Sequence, residues 1–172
     1  MNNKGFTLIE LVVVIVILGI LAVTAAPKFM NLKADAKTST LYGVQAAMQS
    51  ASALVYGKSI VKGNHKEAFS ASPPNTVNIG DEGGYYNNGE LFITYGYPIG
   101  DEDEFERLVP LDAEGTYKYH KLGTSITTLL VYFEEDYKHP VTPTTINDPC
   151  IVVYQIPEGP NQSPSFNVND CI

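Results

Sequence analysis

Hydrophobic residues run almost unbroken near the start of the chain and then fall into periods. From Phe6 to Ala26 stand 21 residues, apolar except for Thr7, Glu10 and Thr24. As a helix rising about 1.5 Å per residue, the run is roughly 31 Å long, the hydrocarbon thickness of a bilayer. Beyond Pro27, the residues Leu41, Val44, Met48, Ala51 and Val55 recur at three- and four-residue steps, as on one face of a helix. Lys33, Asp35, Lys37, Gln45 and Gln49 lie between them and suit solvent. The pattern predicts one long helix, bare over 6–27, amphipathic over 28–57, and stopped by Gly57. Gly19 and Pro27 are its weak points. Glycine costs about 1 kcal/mol in a helix interior, and proline removes a hydrogen bond, so a kink is expected.

From 58 to 88 the composition turns to Gly, Asn, Ser and Pro, with Pro73-Pro74 and Gly83-Gly84. This predicts a long surface loop, with a short helix near Lys66–Ala71. The segment 89–172 then carries short β-branched and aromatic runs: Leu91–Tyr95, Tyr117–Lys121, Thr127–Glu134, Cys150–Ile156 and, more weakly, Phe166–Val168. Turn residues separate them, which predicts an antiparallel sheet. Its apolar face needs cover, and the amphipathic half of the long helix is the available cover. The fold class is therefore α+β.

Inside the apolar run sits one carboxylate, Glu10. A buried charge at membrane depth is expensive, and such a group reads as functional by default. Three fates of the N-terminus fit the residues. The run could be a plain anchor, or a secretory signal peptide cut after Ala25. In the third, the cut falls between Gly5 and Phe6, and the short basic leader Met1–Gly5 is lost while the hydrophobic helix is kept.

The third reading carries a resemblance. Gly5-Phe6-Thr7-Leu8-Ile9-Glu10, opening a helix of membrane length, resembles the leader junction of type IV pilins of the short-leader class and their pseudopilin relatives. The resemblance implies a prepilin peptidase that cuts Gly5–Phe6 and N-methylates Phe6. It implies a subunit that waits in the inner membrane of a Gram-negative-type bacterium, single-pass with its N-terminus cytoplasmic. From there an assembly platform draws it into a helical homo-oligomer, the extracellular pilus. The type IV pilin fold it implies is a long helix on an antiparallel sheet with a C-terminal disulfide-bounded loop, and 58–88 would be the family's variable αβ-loop. The helix between Gly19 and Pro27 would melt on assembly. Cleavage would turn the Phe6 nitrogen into a cation, and a neighbour's Phe6 could then pair with Glu10 and set axial register. A second likeness covers Ala26–Ser59, with Pro27-Lys28-Phe29 and Tyr56-Gly57-Lys58, and adds Tyr95-Gly96-Tyr97-Pro98. These stretches resemble mannose-sensitive haemagglutinin (MSHA) pilins and imply a major subunit used in surface attachment. A minor pilin, a type II secretion pseudopilin, and a membrane-anchored exported enzyme or binding protein are the rival readings.

Composition adds limits. The formal charge is −8 over 172 residues, and loss of Lys4 with the leader would deepen it by one. Nucleic acid is not an expected partner, because phosphate binding needs clustered Lys and Arg. Lys4, the only charge before the run, fits a cytoplasmic N-terminus. Cys150 and Cys171 are the two cysteines, and export makes a disulfide their expected state, closing the loop 150–171. Asp101-Glu102-Asp103-Glu104 is the densest charge run. Asp101 and Asp103 are a calcium candidate, but the alternating spacing of an EF-hand is missing. The structural reading has Asp101 capping a helix to about Val109, with Glu104 completing a capping box. His65, His120 and His139 stand apart beside lysines and suggest neither zinc nor a triad. No hydrolase, zincin or phosphate-loop motif occurs, so no cofactor and no catalysis are expected. The surface or glycan ligand is not legible.

Overall fold

The computed structural model describes residues 6–84, 88–111, 116–137 and 141–172, and the side chains of 25–31 also lie outside that description. The leader 1–5 and His139 fall outside it too.

Helix α1 runs from Leu8 to Lys62, continuous through Gly19 and Pro27. Strands β1 (Thr76–Asn78), β2 (Glu90–Thr94) and β3 (Tyr97–Pro98) form a small antiparallel sheet in that order. Helix α2 (Glu102–Leu108) leads to a larger antiparallel sheet, β4 (Tyr117–Lys121), β5 (Thr128–Phe133), β6 (Ile151–Gln155) and β7 (Ser165–Asn169), in the order 4-5-6-7.

Both sheets are covered by the second half of α1, at different heights. Leu41, Val44 and Met48 meet Leu129, Val131, Phe133, Val152 and Tyr154 of the large sheet, with Phe105 of α2 filling the edge. One to two turns on, Val55 meets Val77, Leu91 and Ile93 of the small sheet. Fully buried Leu41 and Met48 would each cost about 2–5 kcal/mol on truncation to alanine. Every residue of β5 is buried, because the far face of the sheet is covered as well: Leu130, Tyr132, Ile151 and Val153 pack with Leu122 and Tyr137. The Tyr154 hydroxyl donates to the Pro98 carbonyl at 2.6 Å and ties the two sheets together.

Four expectations need correction. The helix does not stop at Gly57. It continues five residues to Lys62 and ends at Gly63, whose φ of 84° is the left-handed conformation glycine adopts cheaply. The extra turn is held because Ser59 is buried against Gly96 and Lys62 donates to the Thr76 carbonyl at 2.7 Å. No helix forms near Lys66–Ala71. Asn75 there donates to the Glu67 and Ala68 carbonyls and pins the chain as a loop. Strands β1 and β3 were not foreseen, so the single sheet becomes two. Lys37 and Gln45 are not solvent residues: Lys37 is ion-paired and Gln45 donates to the Phe166 carbonyl at 3.0 Å.

Candidate functional site

The first turn of α1 is closed by a capping box. The Thr7 backbone N–H donates to Glu10 Oε2 at 2.8 Å, and the Glu10 N–H donates to Thr7 Oγ1 at 3.4 Å. The Thr7 hydroxyl adds a third bond to Glu10 Oε2 at 2.7 Å. Threonine followed three residues later by glutamate is the sequence signature of this motif. It was legible in Thr7-Leu8-Ile9-Glu10 and was passed over. The Glu10 carboxylate thus satisfies the Thr7 amide at the start of its own helix, which also suits the positive end of the helix dipole.

Around it the side chains from Phe6 to Val23 point into open space. Phe6 is 85% exposed, and Leu8, Ile9, Ile20 and Val23 are all more than half exposed. A contiguous apolar surface of this size is not left bare in a finished assembly. Among the described residues no helix is long and apolar enough to cross a membrane. Side chains of the apolar run are described only as far as Thr24.

The base of the globular half is clamped to α1. Cys150 and Cys171 form the expected disulfide. The Cys171 N–H donates to Thr38 Oγ1 at 2.9 Å, and Lys37 reaches Asp136 at 2.5 Å and Glu135 at 2.6 Å. Burial alone would lower the Lys37 pKa. The two carboxylates outweigh it and hold the ammonium above the ordinary lysine value.

The acidic run is structural. Asp101 is the N-cap of α2, accepting from Asp103 N, and it also accepts from Lys121 Nζ at 2.8 Å. Glu104 does not complete a capping box. It turns into the core, 6% exposed, and accepts from Arg107 Nη1 at 2.9 Å. Burial pushes its pKa up to about 7, against the pull of Arg107. Arg107 also grips both oxygens of Asp81, at 2.8 and 2.7 Å, and holds the Asp81–Gly84 turn onto α2. Gly83 and Gly84 lie so close to the guanidinium that a Cβ at either would strike it. Asp81 is held below the usual carboxylate range by those bonds. Nothing in the spacing of Asp81 and Arg107 foretold this contact. Among the described residues no cluster of His, Cys, Asp and Glu could hold a metal ion, so calcium at Asp101 and Asp103 finds no support. His65 packs edge-on to Tyr56, and His120 lies 3.5 Å from Glu102.

Comparisons with known proteins meet this geometry. A family model described as the prokaryotic N-terminal methylation motif matches residues 1–26. The type IV narrow pilus major component PilA5 of Thermus thermophilus is 48% identical over 54 residues, 31% of this chain and 47% of that protein. A fimbrial protein of Pseudomonas aeruginosa is 39% identical over 76 residues, 43% of this chain and 45% of that one. The type IV major fimbrial protein FimA of Dichelobacter nodosus is 32% identical over 130 residues, 70% of this chain and 80% of that protein. The chain belongs to the type IV pilin family. The match to the first two pilins spans about half of their length, whereas the match to FimA spans 80% of its length. All three relatives are named as pilus or fimbrial proteins, and none as an enzyme. No solved structure matches the chain. The long helix on antiparallel sheet, closed by Cys150–Cys171, is the α+β architecture of a type IV pilin.

Proposed function

We propose that this pilin is the major subunit of an extracellular, MSHA-like pilus that attaches cells to surfaces. One observation carries the reading: the apolar rod from Phe6 onward has no cover within its own chain. In this account the precursor is cut between Gly5 and Phe6, Phe6 is N-methylated, and the subunit waits in the inner membrane, single-pass with its N-terminus cytoplasmic. Rods of neighbouring copies then replace lipid as cover, and hydrophobic burial drives polymerisation. The Glu10 carboxylate gives up or shares its Thr7 contacts and pairs with a neighbour's Phe6 nitrogen. A charge pair in an apolar core adds little net stability but discriminates against wrong registers. The heterologous contact does not close on itself, so it yields a filament.

Glu10 has two jobs in this account, and two variants separate them. Glutamine can serve in a capping box, so Glu10→Gln keeps the helix start and loses only the charge. Glu10→Ala loses both. Both variants are expected to be processed and folded, and neither to form filaments in sheared surface fractions examined by electron microscopy. Normal piliation with Glu10→Gln would remove the charge from its role. Mass analysis of the mature chain should find methylated Phe6 at its start, which a signal-peptidase cut or an intact anchor would not give. Abundance in the sheared fraction separates a major subunit from a minor pilin or pseudopilin.

A further inference from the structure

The lower end of the globular half presents apolar side chains to solvent. Between α1 and the segment 141–149 lies a cleft of about 650 Å³, with Lys33 and Ala34 on the helix side and Val141, Pro149 and Ile172 opposite. Val141 is 60% exposed, and Ile172 on the same cleft is exposed too. These side chains do not sit on a loose tether. Asp148 accepts from the N–H groups of Thr144 and Thr145 at 2.6 and 3.0 Å, which holds its carboxyl below the usual range. Asn169 donates to the Ile146 and Asp148 carbonyls, and the Tyr137 hydroxyl to that of Pro149. The segment is braced within itself and tied to the rest of the fold at Asn169 and Tyr137, and it still leaves Val141 exposed.

Height along α1 indicates what these residues meet. The apolar run ends at Ala26, and Lys33 follows seven residues later, about 10 Å further along the helix. The headgroup layer of one leaflet occupies roughly the first 5–7 Å beyond the hydrocarbon. A helix tilt of about 20° brings one side of a domain at this height down onto that layer. Lys33, its side chain 70% exposed and only 3.7 Å-paired to Glu135, can extend its ammonium toward lipid phosphate while its stem stays among apolar groups.

We propose that Val141 and Ile172, with Lys33 beside them, form a foot that rests on the phospholipid headgroups of the membrane while the subunit waits there. This rests on the membrane reading above and goes beyond it: the bilayer is gripped by the globular half as well as by the rod. The foot orients the domain before assembly and is surrendered when the subunit leaves the lipid.

The chain contains no tryptophan, so a single one reports its own surroundings. Four full-length variants, V141W, I172W, V61W and I15W, are reconstituted separately in phosphatidylcholine vesicles. One vesicle set carries a nitroxide on the headgroup, the other in mid-acyl chain. Val61 is exposed at the opposite end of the globular half, about 42 Å of helix from Lys33. The expected result is loss of emission from V141W and I172W with the headgroup nitroxide, none from V61W, and loss from I15W with the acyl-chain nitroxide. If I15W is quenched while V141W and I172W stay as bright as V61W, the foot is refuted and the membrane reading stands. If I15W is not quenched, the membrane reading fails and takes the foot with it. Both foot positions are exposed, so neither substitution threatens the fold.

Discussion

Glu104 is where pH should act on the stability of this pilin. Its side chain is buried beside Arg107, and burial raises its pKa to about 7 in the folded chain from an ordinary 4.5. The folded state therefore holds this proton more tightly than the unfolded state. Its contribution is fully present below pH 4.5 and is lost as pH rises through 7. Between pH 5 and pH 8 these two values amount to roughly 2–3 kcal/mol. Glu104→Gln keeps an oxygen for Arg107 and cannot titrate. Asp81, Glu90 and Asp148, whose pKa values are lowered, are common to both proteins and act in the opposite sense, losing stability as pH falls. Glu90 and Asp148 cancel in the difference between variant and parent, whereas Asp81 shares Arg107 with Glu104 and is the one of the three coupled to the substitution. Urea unfolding of both chains in non-ionic detergent, followed by near-ultraviolet circular dichroism, gives that difference at each pH. The variant should gain on the parent by roughly 2–3 kcal/mol from pH 5 to pH 8. Parallel curves across that range would show that the Glu104 carboxyl is not the group titrating in the core.

Two further outcomes follow from the packing. Replacing Cys150 and Cys171 together by serine opens a loop of sequence separation 21 and should cost about 3 kcal/mol, seen as a lower melting temperature that reductant no longer changes. An unchanged melting temperature would mean that the Thr38 bond and the pairing of β7 with β6 hold the tail unaided. Gly96→Ala places a methyl 2.7 Å from the Tyr56 ring and 2.8 Å from Ser59 Oγ, at a φ of 88°. It should destabilise by roughly 1–3 kcal/mol and disturb the Tyr56–Tyr97 stack, readable as a change in tyrosine near-ultraviolet dichroism.

The periodic stretches of this chain were legible, and the local exceptions were not. Leu41, Val44, Met48 and Val55 were placed on the core face from spacing alone, and β4 was bounded to the residue. Hydrophobic period reports which face is buried, and it was overridden at Ala51, which is only half-buried while its neighbour Ser52 is buried in its place. Gly57 misled because glycine marks a stop only when the next residues lack tertiary partners, and Ser59 and Lys62 have them. Strand β1 was hidden because three residues show no period, and its place depends on pairing Val77 with Leu91 across a loop. Glu104 was read by its position three residues after a cap. Its fate was decided by Arg107 and Asp81, a contact 26 residues apart that no local rule contains. At the assembly end the opposite happened: the Thr7–Glu10 box is wholly local, and attention to the lone charge hid its neighbour.

The tail's attachment at Thr38, with Lys37 one residue away gripping Glu135 and Asp136, has a mechanical meaning. Tension on the outer coat of a fibre built from such subunits would pass from the crosslinked tail into the helix as shear across several short bonds loaded together. The strands of the larger sheet would not be peeled one at a time.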